Sequence, residues 1–142
     1  MEIAEFKIHI QNLSLDDWNR LFSYIPLIQK SEKFGTWIEM DIDNGIFFPY
    51  VIPIKLVNDF CKLMYEMNLL IEFNWTKWVD GKKILSDGNF KNIDTITLFQ
   101  LLTAIIRSDR FSEGVLVSAF ENEIILNILI ELKATIGKNT IS

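Results

Sequence analysis

Four charged side chains fall within seven residues: Arg107, Asp109, Arg110 and Glu113. They follow the apolar run Leu101-Leu102-Thr103-Ala104-Ile105-Ile106. Arginine is scarce in this chain, and Arg20 is the only one elsewhere. Arg107 and Arg110 are three apart and would share one helical face, with Glu113 three further on. Paired guanidinium groups can hold a carboxylate or phosphate through parallel N–H bonds. Glu113 or Asp109 would then be the acid or base of an enzyme acting on a small anionic substrate. The plainer reading is an ion-pair network that locks the turn between two helices, with Asp109 or Ser112 capping the second. Structural ion pairs are common enough that we expect the plainer one.

Trp75 and Trp78 are the second candidate, as stacking surfaces for a base, a sugar or a partner's side chain. On a strand their odd spacing would point them to opposite faces, so at least one is expected in the core. Lys77, Lys82 and Lys83 beside them could meet phosphates, but lysines on a loop are ordinarily solvated surface. Other apparent motifs fail. Asp41-Ile42-Asp43-Asn44-Gly45 has its glycine at the wrong offset for a calcium loop and no closing glutamate, so it reads as a hairpin turn. Gly81-Lys82-Lys83 lacks the upstream glycine of a phosphate loop. Thr103, Ser112 and Ser118 have no neighbouring histidine to activate them. The one histidine, His9, reads as partly buried, and the one cysteine, Cys61, as core packing on a helical stripe.

Composition narrows the classes further. The chain has 142 residues, 49% apolar and 13% aromatic, enough to fill the core of a single domain spanning 1–142. One cysteine and one histidine exclude cysteine-based and multi-histidine metal sites, so no metal or cofactor is expected. A net charge of -5 argues against a general nucleic-acid surface. The longest stretches without a charged residue, Asn44 to Ile54 and Thr95 to Ile106, are too short to cross a membrane. The acidic start is unlike a signal peptide, and a lone cysteine suits the reducing cytoplasm.

The elements that would position these residues follow from periodicity. Ser14 can cap a helix from about Leu15 to Ile25 carrying the stripe Trp18, Leu21, Phe22 and Ile25, which Pro26 ends or kinks. Phe6-Lys7-Ile8-His9-Ile10 alternates like a short strand or an arm. Ile38, Met40 and Ile42 alternate, Asp43-Asn44-Gly45 turns, and Ile46-Phe47-Phe48 returns as a hairpin. Pro53 opens a helix with Val57, Phe60, Cys61 and Met64 on one face. Ile71, Phe73 and Trp75 suggest a third strand, and Val79 to Asn92 a loop with turns at Asp80-Gly81 and Asp87-Gly88. Asp94 can cap a helix with Leu98, Leu101, Leu102, Ile105 and Ile106. A break at Ser108 to Ser112 leads to a last helical stretch, open to an interruption near Asn122, that frays from Ala134. The expected fold is α+β: a mainly helical single domain of four to five helices with a small antiparallel sheet of about three strands.

The segment Thr103-Ala104-Ile105-Ile106-Arg107-Ser108-Asp109-Arg110-Phe111-Ser112-Glu113-Gly114, followed by Ala119-Phe120-Glu121, resembles an uncharacterised bacterial family of unknown function. That family carries T-A-x-I-R-x-D-R-F-x-E-G, then A-F-E and an aliphatic helix. A tryptophan-rich strand precedes it, similar to Phe73-Asn74-Trp75 and Trp78. The resemblance covers about Ile71 to Leu132. Asn74 stands where an aspartate is expected, and Asn122-Glu123 replaces a Ser-Gly-like break, implying one continuous helix there. The resemblance implies no activity, cofactor or partner. The leading expectation is therefore a non-catalytic binding or protein-interaction domain of a bacterium or its mobile elements, meeting a protein partner or a small anionic ligand. The enzyme described above is the alternative. An apolar face on the C-terminal helices could support a homodimer.

Overall fold

Helix α1 spans Ile3–Gln11, where the alternating pattern suggested a strand. The helix wins because Phe6, His9 and Ile10 sit at i, i+3 and i+4 on one face. Phe6 is fully buried against Phe99 while Ile8 stays 62% exposed. His9 Nε2 lies 2.7 Å from the Met67 carbonyl oxygen, so the histidine ties α1 to the next layer.

A computed structural model describes residues 1–42 and 46–140 of the chain. Helix α2 covers Leu15–Phe22, opened by a capping box in which Ser14 and Asp17 satisfy each other's backbone N–H. The chain breaks at Ser23 and continues as α3, Tyr24–Lys30. Pro26 therefore lies in the first turn of α3 and does not end the preceding helix. A first-turn N–H has no intrahelical partner to lose. Strands β1 (Gly35–Ile42) and β2 (Ile46–Pro53) pair antiparallel, from Gly35 opposite Pro53 to Ile42 opposite Ile46. The expected Asp43-Asn44-Gly45 turn lies outside the described residues. Pro53 ends β2, and helix α4 begins after it, at Lys55–Glu66.

The described residues hold two strands and not three. The segment after α4 has no strand partner because other groups take its N–H bonds. Ile71 N–H donates to the Thr103 hydroxyl at 3.1 Å, and Glu72 N–H to the Met1 carbonyl at 2.7 Å. Trp75–Lys77 then forms a 3-10 turn. The expected loop from Val79 is instead helix α5, Val79–Asp87, closed by Gly88 at φ 70°. Asp80-Gly81 is thus inside a helix, whereas Asp87-Gly88 does form a stop. Eight α-helices occur among the described residues, against the four to five expected, because short helices replace a strand and a loop.

Helix α6 (Thr95–Ser108) is the centre of the core; Leu98, Phe99, Leu101 and Leu102 are fully buried. It packs against α7 (Val115–Glu121) and α8 (Ile124–Thr140). Glu123 at φ 63° separates these two, so of the two readings of this stretch the interruption near Asn122 is the one found and the continuous helix is not. Helix α8 continues through Thr140, past the expected fray at Ala134. Its stripe of Ile125, Ile128, Leu129 and Leu132 is buried in the chain's own core and does not form an open dimer face. The buried side chains form one continuous cluster. No helix is long and apolar enough to cross a membrane among the described residues.

Asp94 caps α6 as expected, accepting from the Thr97 N–H at 3.0 Å and its hydroxyl at 2.6 Å. Partial burial pushes its carboxyl up, but the two Thr97 bonds and the Asp94 backbone outweigh that, and the pKa falls below its ordinary value. A depressed folded pKa contributes stability above the unfolded value, lost as pH falls through the folded one. Asp94→Ala is expected to cost about 1 kcal/mol at neutral pH. Urea melts from pH 7 to 2 should show that gap to the wild type closing below about pH 4.

Candidate functional site

The turn between α6 and α7 collects the candidate charges, but it does not pair them with each other. Arg107 leaves the last turn of α6 and Arg110 the turn beyond it. Both guanidinium groups reach one atom, the hydroxyl oxygen of Tyr65 on α4. Arg107 Nη1 donates at 3.4 Å and Arg110 Nη2 at 3.2 Å. The Arg107 guanidinium carbon also lies 5.6 Å from the Tyr65 ring centroid, a cation–π distance. None of the ion pairs among the described residues involves Arg107, Asp109, Arg110 or Glu113. The expected ion-pair lock is therefore replaced by a neutral phenol holding two cations.

The two carboxylates have separate partners. Asp109 Oδ1 accepts from the Gly114 N–H at 3.2 Å and the Leu116 N–H at 3.1 Å. It thus caps the start of α7 from five residues upstream, where free N–H groups and the positive end of the helix meet a negative charge. Glu113 Oε1 accepts the Val51 N–H of β2 at 3.4 Å and joins the turn to the hairpin. Cys61, one turn before Tyr65 on α4, is half-buried beside this group. Burial raises its thiol pKa, the Asp109 charge raises it further, and Arg110 opposes both. That is the environment of a protonated packing cysteine, not of a nucleophile.

Gly114 holds the turn shut. It sits at φ 93°, and a Cβ there would come 2.4 Å from the Trp37 ring. Trp37 in turn donates its indole N–H to Glu121 at 3.1 Å. Beside this contact is a cavity of about 400 Å³ lined by Trp37, Glu113, Ser118 and Asn122 among others. Trp75 and Trp78 wall a neighbouring cavity of about 200 Å³. They share a side here because they lie three apart on a 3-10 turn, where i and i+3 eclipse, and not on a strand. Arg107 and Arg110 line neither cavity. A third cleft, of about 610 Å³, lies between α1, α2 and the start of α6 around Trp18 and Lys7, and none of the candidate charged residues or of Trp75 and Trp78 lines it. No group of three or more His, Cys, Asp or Glu is placed to hold a metal among the described residues.

A family model described as a family of unknown function (DUF6508) matches residues 13–138. The chain belongs to that family. The match is wider than the Ile71 to Leu132 resemblance and runs from α2 into α8, so the Tyr65–arginine contact lies within the family's own region. Helix α1 precedes it. No curated protein and no solved structure matches the chain.

Sequence reasoning missed Tyr65 and Trp37. Tyr65 follows Cys61 by one turn, on a face that looked like core. Trp37 was an outward strand residue with no marked partner. Their contacts cross 42 to 84 positions, which no local spacing reports.

Proposed function

We propose that this is a non-catalytic, single-domain binding protein that recognises an anionic group of a ligand or partner at Arg107, Arg110 and Tyr65. One observation carries the reading: two guanidinium groups converge on one uncharged oxygen with no carboxylate in ion-pair range. Like charges brought together repel, and an arriving anion offsets that repulsion while accepting their remaining N–H groups. The enzyme alternative loses ground because both candidate acid–base groups already accept backbone N–H bonds. The family resemblance supports a bacterial source, and one unpaired thiol suits a cytoplasmic setting.

The test is a low-salt titration with inorganic pyrophosphate, followed through the arginine Nε–Hε resonances by NMR. Only three arginines exist to assign. Arg107 and Arg110 should shift saturably and Arg20 should not. Arg110→Gln should weaken binding about tenfold, or about 1.4 kcal/mol, with little change in Tm. No shift at either arginine, or turnover that survives Arg110→Gln, defeats the proposal.

A further inference from the structure

The indole cavity is separate from the arginine cluster and shares no residue with it. Its walls are held apart. Phe73 meets the Trp78 ring edge-on, with centroids 5.1 Å apart and planes at 90°. Trp78 also lies on Gly81 of α5, where a Cβ would come 2.2 Å from an indole carbon. Glycine inside a helix costs about 0.5–1 kcal/mol relative to alanine. Here that cost is tolerated at the one place where the ring needs the room. Phe111, itself 82% exposed, packs on Trp75 from outside with centroids 6.1 Å apart. The facing wall is aliphatic: Leu85 of α5 and Ile105 of α6.

The polar groups at this cavity select the ligand's charge. The Thr76 hydroxyl already donates to Asn74 at 2.8 Å, and the Ser108 hydroxyl to the Ala104 carbonyl at 2.6 Å. Besides the two indole N–H groups, the cavity has one charged lining group, the ammonium of Lys82, which joins none of the ion pairs of the described residues. A cation would find aromatic faces here but would also meet that ammonium. An anionic group held at the open side, away from the ring faces, is attracted by that ammonium and meets no acidic lining residue. As for size, an apolar cavity of about 150 Å³ takes one benzene. About 200 Å³ suits one or two fused rings, with the polar end reaching the open side.

We infer that this cavity binds a planar aromatic carboxylate, its ring between the Trp75 and Trp78 indoles and the aliphatic wall, its carboxylate on Lys82. The experiment is calorimetric titration of the full chain with 2-naphthoate, with 2-naphthylmethanol and cyclohexanecarboxylate as the neutral and non-planar controls. 2-Naphthoate should bind saturably and about tenfold more tightly than either control. Lys82→Gln, on an exposed helix face, should weaken 2-naphthoate about tenfold and leave 2-naphthylmethanol unchanged. Arg110→Gln should leave 2-naphthoate binding intact, which separates this site from the arginine cluster. Absence of saturation by about 5 mM, roughly the weakest specific range, overturns the inference. So does an unchanged affinity in Lys82→Gln, or a loss in Arg110→Gln equal to that in Lys82→Gln.

Discussion

Gly114→Ala should lower the stability of the protein by about 2–5 kcal/mol, more than any single surface change. Two separate costs add at this residue. The backbone at φ 93° lies where an L side chain is strained, by about 1–2 kcal/mol. The new methyl also meets the Trp37 ring at 2.4 Å, and overpacking of that kind costs about 1–3 kcal/mol. At about 2–4 °C per kcal/mol the melting temperature should fall by roughly 4–20 °C. Gly88→Ala is the control. Gly88 has φ 70° with nothing within 4 Å of its missing Cβ, so only the conformational cost remains, about 1 kcal/mol. Trp37→Ala in the Gly114→Ala background should recover part of the loss, a coupling of about 1 kcal/mol or more. Equal losses for Gly114→Ala and Gly88→Ala would mean that the Trp37 contact contributes nothing.

Residues 15–22, 55–66 and 95–108 were readable because the local signals agree with the packing there. An apolar stripe at helical spacing runs through each, and Ser14 and Asp94 mark two of the starts. Residues 71–87 misled because alternation alone does not make a strand. A strand needs a partner for its N–H groups, and here Thr103 and the Met1 carbonyl take them. Thr103, a buried polar residue in an apolar helix, was the one trace of that arrangement in the sequence. The candidate site was legible as a cluster but not as a geometry. Spacing placed Arg107 and Arg110 on one helical face, but α6 ends at Ser108, and the two meet by reaching one acceptor. It could not show that the acceptor between them is the phenol of Tyr65, 42 and 45 positions away. Nor could it show that Trp75 and Trp78 share a cavity, because that depends on a 3-10 turn and not on a strand.

Asp109→Ala should cost about 2–4 kcal/mol, and Asp109→Asn about half of that. The carboxylate oxygen Oδ1 accepts two N–H groups at the start of α7, from Gly114 and Leu116. Alanine leaves both half-buried donors without a partner and removes the negative charge from the helix terminus, each a recognised penalty. Asparagine keeps an acceptor oxygen in the same place and loses only the charge. Chemical denaturation of the three proteins at pH 7 gives the ranking directly. A general base at this position would behave in the opposite way. Asparagine would then be as damaging to turnover as alanine, while stability changed little. The order wild type, Asn, Ala in stability therefore separates a cap from a catalyst at the most charged turn of the chain. It bears on the arginines as well. If Asp109 is fixed under α7, its charge is not available to Arg107 and Arg110, and the pair is left to meet an anion from outside.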